Sequence, residues 1–91
     1  MKLAKMSIAG SLESNDALIT IQPVDKRGVE LVIESIVEKQ FKDRIEKAVR
    51  QVLKDYDIDG VYVRVQDRGA LDCTLKARME AAILRGKGDL Q

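Results

Sequence analysis

The chain has 91 residues, 16 Lys and Arg against 15 Asp and Glu, a formal net charge of +1 and no histidine. That length is one domain's worth of chain, enough for a modest aliphatic core and too little for a large enclosed active site. One Phe, two Tyr and no Trp provide no row of stacking platforms for single strands, and a balanced charge does not mark a nucleic-acid binder. Without histidine, neither a Ser-His-Asp nor a Cys-His arrangement nor a His-containing zinc site can be assembled from this chain, and one cysteine excludes an all-Cys zinc site. Carboxylate-only acid–base chemistry stays open to this composition, but 91 residues offer little room to enclose it, and independent catalysis is not expected. Cys73 cannot close an intramolecular disulfide, so a reducing cytoplasm is the expected compartment. The start "MKLAKMSIAG" is basic, but its apolar stretch is too short and interrupted for a signal peptide. No run reaches the roughly 20 apolar residues that span a bilayer, so no membrane association is expected.

Along the chain, residues 5–12 read as a short extended segment. "LESND" then brings turn chemistry before "ALITIQP". There Ala17, Ile19 and Ile21 alternate with Leu18, Thr20 and Gln22 until Pro23. The turn "VDKRG" leads to "VELVIES", with Val29, Leu31 and Ile33 inward and Glu30 and Glu34 outward. The period then changes. Phe41, Ile45, Ala48, Val49, Val52, Leu53 and Tyr56 fall at steps of three and four, predicting a helix from about Val37 to Tyr56. Ser35 and Glu38 have the spacing of a capping box, and Glu46 and Arg50 that of an i,i+4 pair. "DIDG" breaks this helix, and "VYVRVQD" is a strand with Val61, Val63 and Val65 buried. "RGALDCTLKARMEAAILRG" closes the regular structure as a helix with Leu71, Leu75, Met79, Ala82 and Ile83 as its apolar stripe and Gly86 just past its end. Residues 87–91 read as a frayed tail. The order β-β-β-α-β-α predicts an α+β fold over residues 1–91 as a single domain: a four-stranded sheet with two helices on one face. The first two strands form a hairpin with "LESND" at its tip.

Three candidates stand out. Ser14 sits among Glu13, Asn15 and Asp16, residue types that favour turns because their side chains bond nearby backbone. A structural turn accounts for the pattern, and a hydroxyl at an exposed hairpin tip is also what a modifying enzyme can reach. Its neighbours do not activate it as a nucleophile by themselves. Cys73, early in the last helix, could have a lowered pKa near a helix N-terminus. A free cysteine is more often a small buried hydrophobe, and core packing is the expectation. Gly69 in "DRGALD" could present backbone N–H groups to a phosphate, or simply turn the chain from strand to helix. Arg64, Arg68 and Lys76 could converge on a basic docking patch near it, or be separately solvated.

Three segments, "AGSLESNDALITIQP", "VEKQF" and "GALDCTLKAR", together resemble the acyl carrier protein, or gamma subunit, of citrate lyase. The match spans nearly the whole chain in the expected order. In that family the serine of the segment G-[S/T]-L-E-S-x-D carries the prosthetic group. Here the segment is Gly10, Ser11, Leu12, Glu13, Ser14, Asn15 and Asp16, so the resemblance implies attachment at Ser14, with Ser11 the nearby rival. It implies a 2'-(5''-phosphoribosyl)-3'-dephospho-CoA arm whose thiol carries acetyl and citryl thioesters. The implied partners are the alpha subunit, which exchanges acetyl for citryl, the beta subunit, which releases oxaloacetate, and a prosthetic-group transferase during maturation. It implies a non-catalytic subunit. The chain lacks the "D-S-L" attachment motif of fatty-acid carriers, and its strands argue against their four-helix bundle. The alternative is a small α+β interaction or RNA-binding module with no covalent group.

Overall fold

The computed structural model describes residues 2–35 and 39–87. Its elements follow the expected order: β1 (Ser7–Gly10), β2 (Ala17–Pro23), β3 (Val29–Ser35), α1 (Lys39–Asp55), β4 (Val61–Asp67) and α2 (Asp72–Gly86). The four strands form one sheet in the order β1-β2-β4-β3. β1 pairs antiparallel with β2, β2 antiparallel with β4, and β3 parallel with β4. The parallel pair needs a crossover connection, and α1 supplies it. β4 is therefore inserted between β2 and β3, a strand order that local patterning does not specify.

Alternation along the strands sorts the two faces. Ala17, Ile19, Ile21, Val61, Val63 and Val65 are fully buried on the side covered by the helices. α2 packs over β1 and β2, α1 packs beside it over β3, and Leu75, Met79, Ala82 and Ile83 face Ile45, Val49, Val52 and Leu53 in one cluster. Val29, Leu31 and Ile33 alternate as expected but are only half-buried, because β3 is an edge strand with α1 alone above it. The other face of the sheet is open and carries Ile8 and Val32, both exposed.

Several expectations need correction. Phe41 is 38 % exposed, since it lies a full turn before the first buried residue of α1. The Arg44 guanidinium sits over its ring, 5.3 Å from the centroid. Ser35 ends β3, opposite Asp67, so it belongs to the sheet; its proposed capping-box partner Glu38 and the helix start at Val37 lie outside the described residues. Leu71 is 66 % exposed. The backbone there is still extended, φ −74° and ψ 161°, so its side chain does not join the helical stripe begun by Leu75. Cys73 is also exposed. It lies two residues before Leu75, about 200° around the helix, which turns it to solvent. Gly86 is the last residue of α2, buried, and not a residue beyond it. The N-terminal segment crosses there, with Ala4 and Lys5 donating backbone bonds to its carbonyl. A Cβ would stand 3.2–3.3 Å from Lys5 O, Ser7 Oγ and Leu3 Cδ1. The tail beyond Lys87 lies outside the described residues.

Ile45 is 3 % exposed and sits where α1 meets the sheet. Ile45→Ala is expected to cost about 2–5 kcal/mol in denaturant unfolding, whereas Phe41→Ala should cost much less. Equal losses from the two would show that the core face of α1 is misassigned.

Candidate functional site

The sheet's pairing gathers one end of the molecule. Ala17 at the start of β2 and Ser35 at the end of β3 both lie opposite Asp67 at the end of β4. The β1–β2 loop, residues 11–16, sits at this end. Its backbone departs from β1 through Gly10, whose φ is +94° and whose added Cβ would collide with the Ala17 carbonyl oxygen. Only glycine lets the two strands close this tightly.

Within the loop, Asp16 N–H donates to Glu13 O at 3.2 Å, closing a turn with Ser14 and Asn15 in its middle. Asn15 has φ +65°, a left-handed conformation that asparagine tolerates at the third turn position. The loop is not a free tip. Asn15 N–H donates to Arg68 O at 2.8 Å, and Arg68 N–H donates to Asp16 O at 2.9 Å, extending the β2–β4 pairing into the loop.

Asp16 holds the other side. Its carboxylate accepts Ser11 Oγ–H at 2.7 Å and Ala17 N–H at 2.7 Å. It also takes a forked pair from Arg78 on α2, Nε at 2.8 Å and Nη2 at 3.1 Å. The Arg78 bond first, and the Ser11 bond after it, hold the Asp16 carboxyl far below the usual carboxylate range, against a smaller opposing effect of burial. Reciprocally, the bond to Asp16 raises Arg78. The pair closes a contact across 62 positions of sequence.

The two serines of the loop thus differ. Ser11 Oγ gives its proton to Asp16 and accepts Glu13 N–H at 3.2 Å. Ser14 is exposed, and among the described residues its hydroxyl has no hydrogen-bond partner within the chain. An uncommitted hydroxyl stands on a turn fixed at both shoulders.

The "DRGALD" turn next to it has its own lock. Asp67, 2 % exposed, accepts Ala70 N–H at 3.0 Å and Gly69 N–H at 3.2 Å. It also accepts Ser35 Oγ–H at 2.9 Å. The N–H groups considered for a phosphate at Gly69 are therefore taken by the chain's own carboxylate. The basic patch is likewise divided. Arg64 points to the open sheet face and forks onto Glu34, at 2.8 and 3.1 Å, which lowers Glu34 and raises Arg64. Arg68 lines a depression with Glu34, Ser35 and Gln66, while Lys76 lies in a groove between the helices. Asp67 and Arg78 were not singled out in the sequence. Asp67 continues the inward alternation of Val61, Val63 and Val65, and a carboxylate at an inward position needs donors. Nothing local announces Arg78.

The family described as malonate decarboxylase delta subunit (MdcD), an acyl carrier protein (ACP) family, matches residues 4–86. The chain belongs to this acyl carrier protein family. Its members are non-catalytic carrier subunits with a covalent prosthetic group, so a module without such a group is not the reading the family supports. Among the described residues, no helix is long and apolar enough to cross a membrane.

A carboxyl group whose folded pKa lies below its unfolded value contributes its full stability above the unfolded value, about 3.9, and loses it as pH falls through the folded value. The Asp16 contacts are accordingly expected to survive at about pH 4 and to fail only in stronger acid, as read from the Asn15, Asp16 and Ala17 amide resonances. Arg78→Ala should move that failure up toward the ordinary carboxylate range. A wild-type loop that melts at the same pH as the variant would contradict this role for Arg78. At the loop's other shoulder, Gly10→Ala is expected to destabilise the fold by about 2 kcal/mol or more, through strain at positive φ and the collision with Ala17. An unchanged unfolding midpoint would contradict the close approach.

Proposed function

We propose that this chain is the acyl carrier subunit of citrate lyase, with the phosphoribosyl-dephospho-coenzyme A arm joined to Ser14 Oγ. The observation that carries the reading is the contrast within one loop. Ser11 is committed to Asp16 and Glu13, whereas Ser14 is exposed, on a turn anchored to β4 and, through Asp16, to α2. The residues present fit such a group: the hydroxyl is open to a modifying enzyme, and its base is held without involving the hydroxyl itself. The loop sequence from Gly10 to Asp16 supports the same position by resemblance to the citrate lyase carriers.

When bound, the arm supplies the thiol on which acetyl and citryl groups travel as thioesters. The chain's part is positional. A tether converts delivery of the acyl group to a partner site into an intramolecular event, with an effective concentration set by the arm's length. A fixed base keeps the swept volume constant. The partners in this reading are the alpha and beta subunits of citrate lyase, with a prosthetic-group transferase during maturation. A second reading, carriage for malonate decarboxylase, is favoured by the description of the matching family and uses the same serine.

Ser14→Ala is expected to unfold within about 0.5 kcal/mol of wild type, as an exposed substitution should. It should nonetheless fail to take up the arm or restore lyase activity when mixed with the alpha and beta subunits. Ser11→Ala should still be modified. Substantial lyase activity with Ser14→Ala would sink the attachment claim. A loaded wild-type carrier that serves decarboxylase subunits but not lyase subunits would establish the second reading instead.

A further inference from the structure

We infer that the groove between α1 and α2 holds the phosphates of the tethered group, resting the arm against the carrier between visits to its partners; the inference depends on attachment at Ser14. The groove is a depression of about 190 Å³ lined by Arg44, Lys47, Ala48, Gln51, Asp72 and Lys76. Ala48, small and 6 % exposed, leaves room at its floor. Three of the lining side chains are cationic and one is anionic, in a chain whose whole net charge is only +1. The lining thus carries a formal charge of about +2. Arg44 meets Asp72 at 3.3 Å, while Lys47 and Lys76 have no ion pair among the described residues. Two uncommitted ammonium groups beside a guanidinium suit a ligand with more than one phosphate.

The groove is placed where an arm from Ser14 can reach it. Asn15 lies against Gly69, its Oδ1 3.6 Å from where a Cβ would stand. Asp72 follows three residues later, at most about 11 Å along the chain. Arg44, in the second turn of α1, pairs with Asp72, the first residue of α2. Asp72 and Lys76 make α2 one wall of the groove, and a helix is about 10–12 Å across. The cation on the Ser14 flank of α2, Arg78, is already held by Asp16, so the nearer guanidinium is not free to capture a phosphate. The cations across the helix are.

The test uses the loaded carrier, with the arm first mapped to Ser14 by peptide mass, and reads the phosphorus-31 resonances of the attached group. At low salt they should be shifted and broadened relative to those of an identically loaded Lys47→Ala/Lys76→Ala carrier of unchanged melting temperature. That difference between the two loaded carriers should fade as salt screens the contact. Asp72→Asn, which removes the groove's one anion, should enlarge it. Resonances identical in wild type and the double variant, with the arm mapped to Ser14, would overturn the inference and leave the groove to an acidic surface of a partner protein. An arm mapped to another residue would overturn the attachment reading itself.

Discussion

The carboxylate of Asp16 is the contact on which the Ser14 loop depends. It gathers one hydroxyl, one backbone N–H and both arms of a guanidinium fork, joining the loop to the start of β2 and to α2. Charge-assisted bonds of this kind are shorter and stronger than neutral ones. Here they act where the Asp16 side chain is only 14 % exposed and the Arg78 side chain 40 %, so solvent screens the arginine side more than the aspartate side. The effect is directional as much as energetic. With Asp16 fixed, the loop presents Ser14 outward and consumes Ser11 inward.

Asp67 repeats the arrangement one strand away. It is buried, it accepts from two backbone N–H groups and a serine, and it locks the turn between β4 and α2. The backbone bonds between Asn15, Asp16 and Arg68 couple the two locked turns. The result is a platform in which polar groups are satisfied by one another: among the described residues, no buried side-chain nitrogen or oxygen lacks a partner. A platform whose carboxylates are already spent on structure is suited to carrying chemistry and not to performing it. This agrees with a family of non-catalytic carrier subunits.

Much of the fold was legible because it rests on local periodicity. The alternation of Ile19 and Ile21, or of Val61, Val63 and Val65, dictates inward faces wherever the strands pair. The steps of three and four from Ile45 to Leu53 dictate a helix face in the same way. Local pattern and structure part company where an element begins or ends. Leu71 has helical spacing from Leu75 but precedes the helix, and Phe41 extends the stripe of α1 past its cover. Cys73 follows its angular position relative to buried Leu75, which turns it outward, and not the burial habit of its residue type. Gly86 looked like a terminator and is instead a clearance for the N-terminal segment. Of the candidate site, the turn chemistry of residues 13–16 is legible in the loop sequence, whereas attachment at Ser14 rests on the resemblance alone. The Asp16–Arg78 pair is not legible there, since only the folded packing of α2 over β2 brings the two together.

Peptide mass mapping of the chain produced alongside citrate lyase maturation enzymes tests the proposed attachment at Ser14 Oγ most directly. Attachment there predicts the mass of the phosphoribosyl-dephospho-coenzyme A group on the peptide containing Ser14, with fragmentation placing it on that residue and leaving Ser11 unmodified. A chain that remains unmodified under those conditions, or that carries the group on Ser11 or elsewhere, would contradict it.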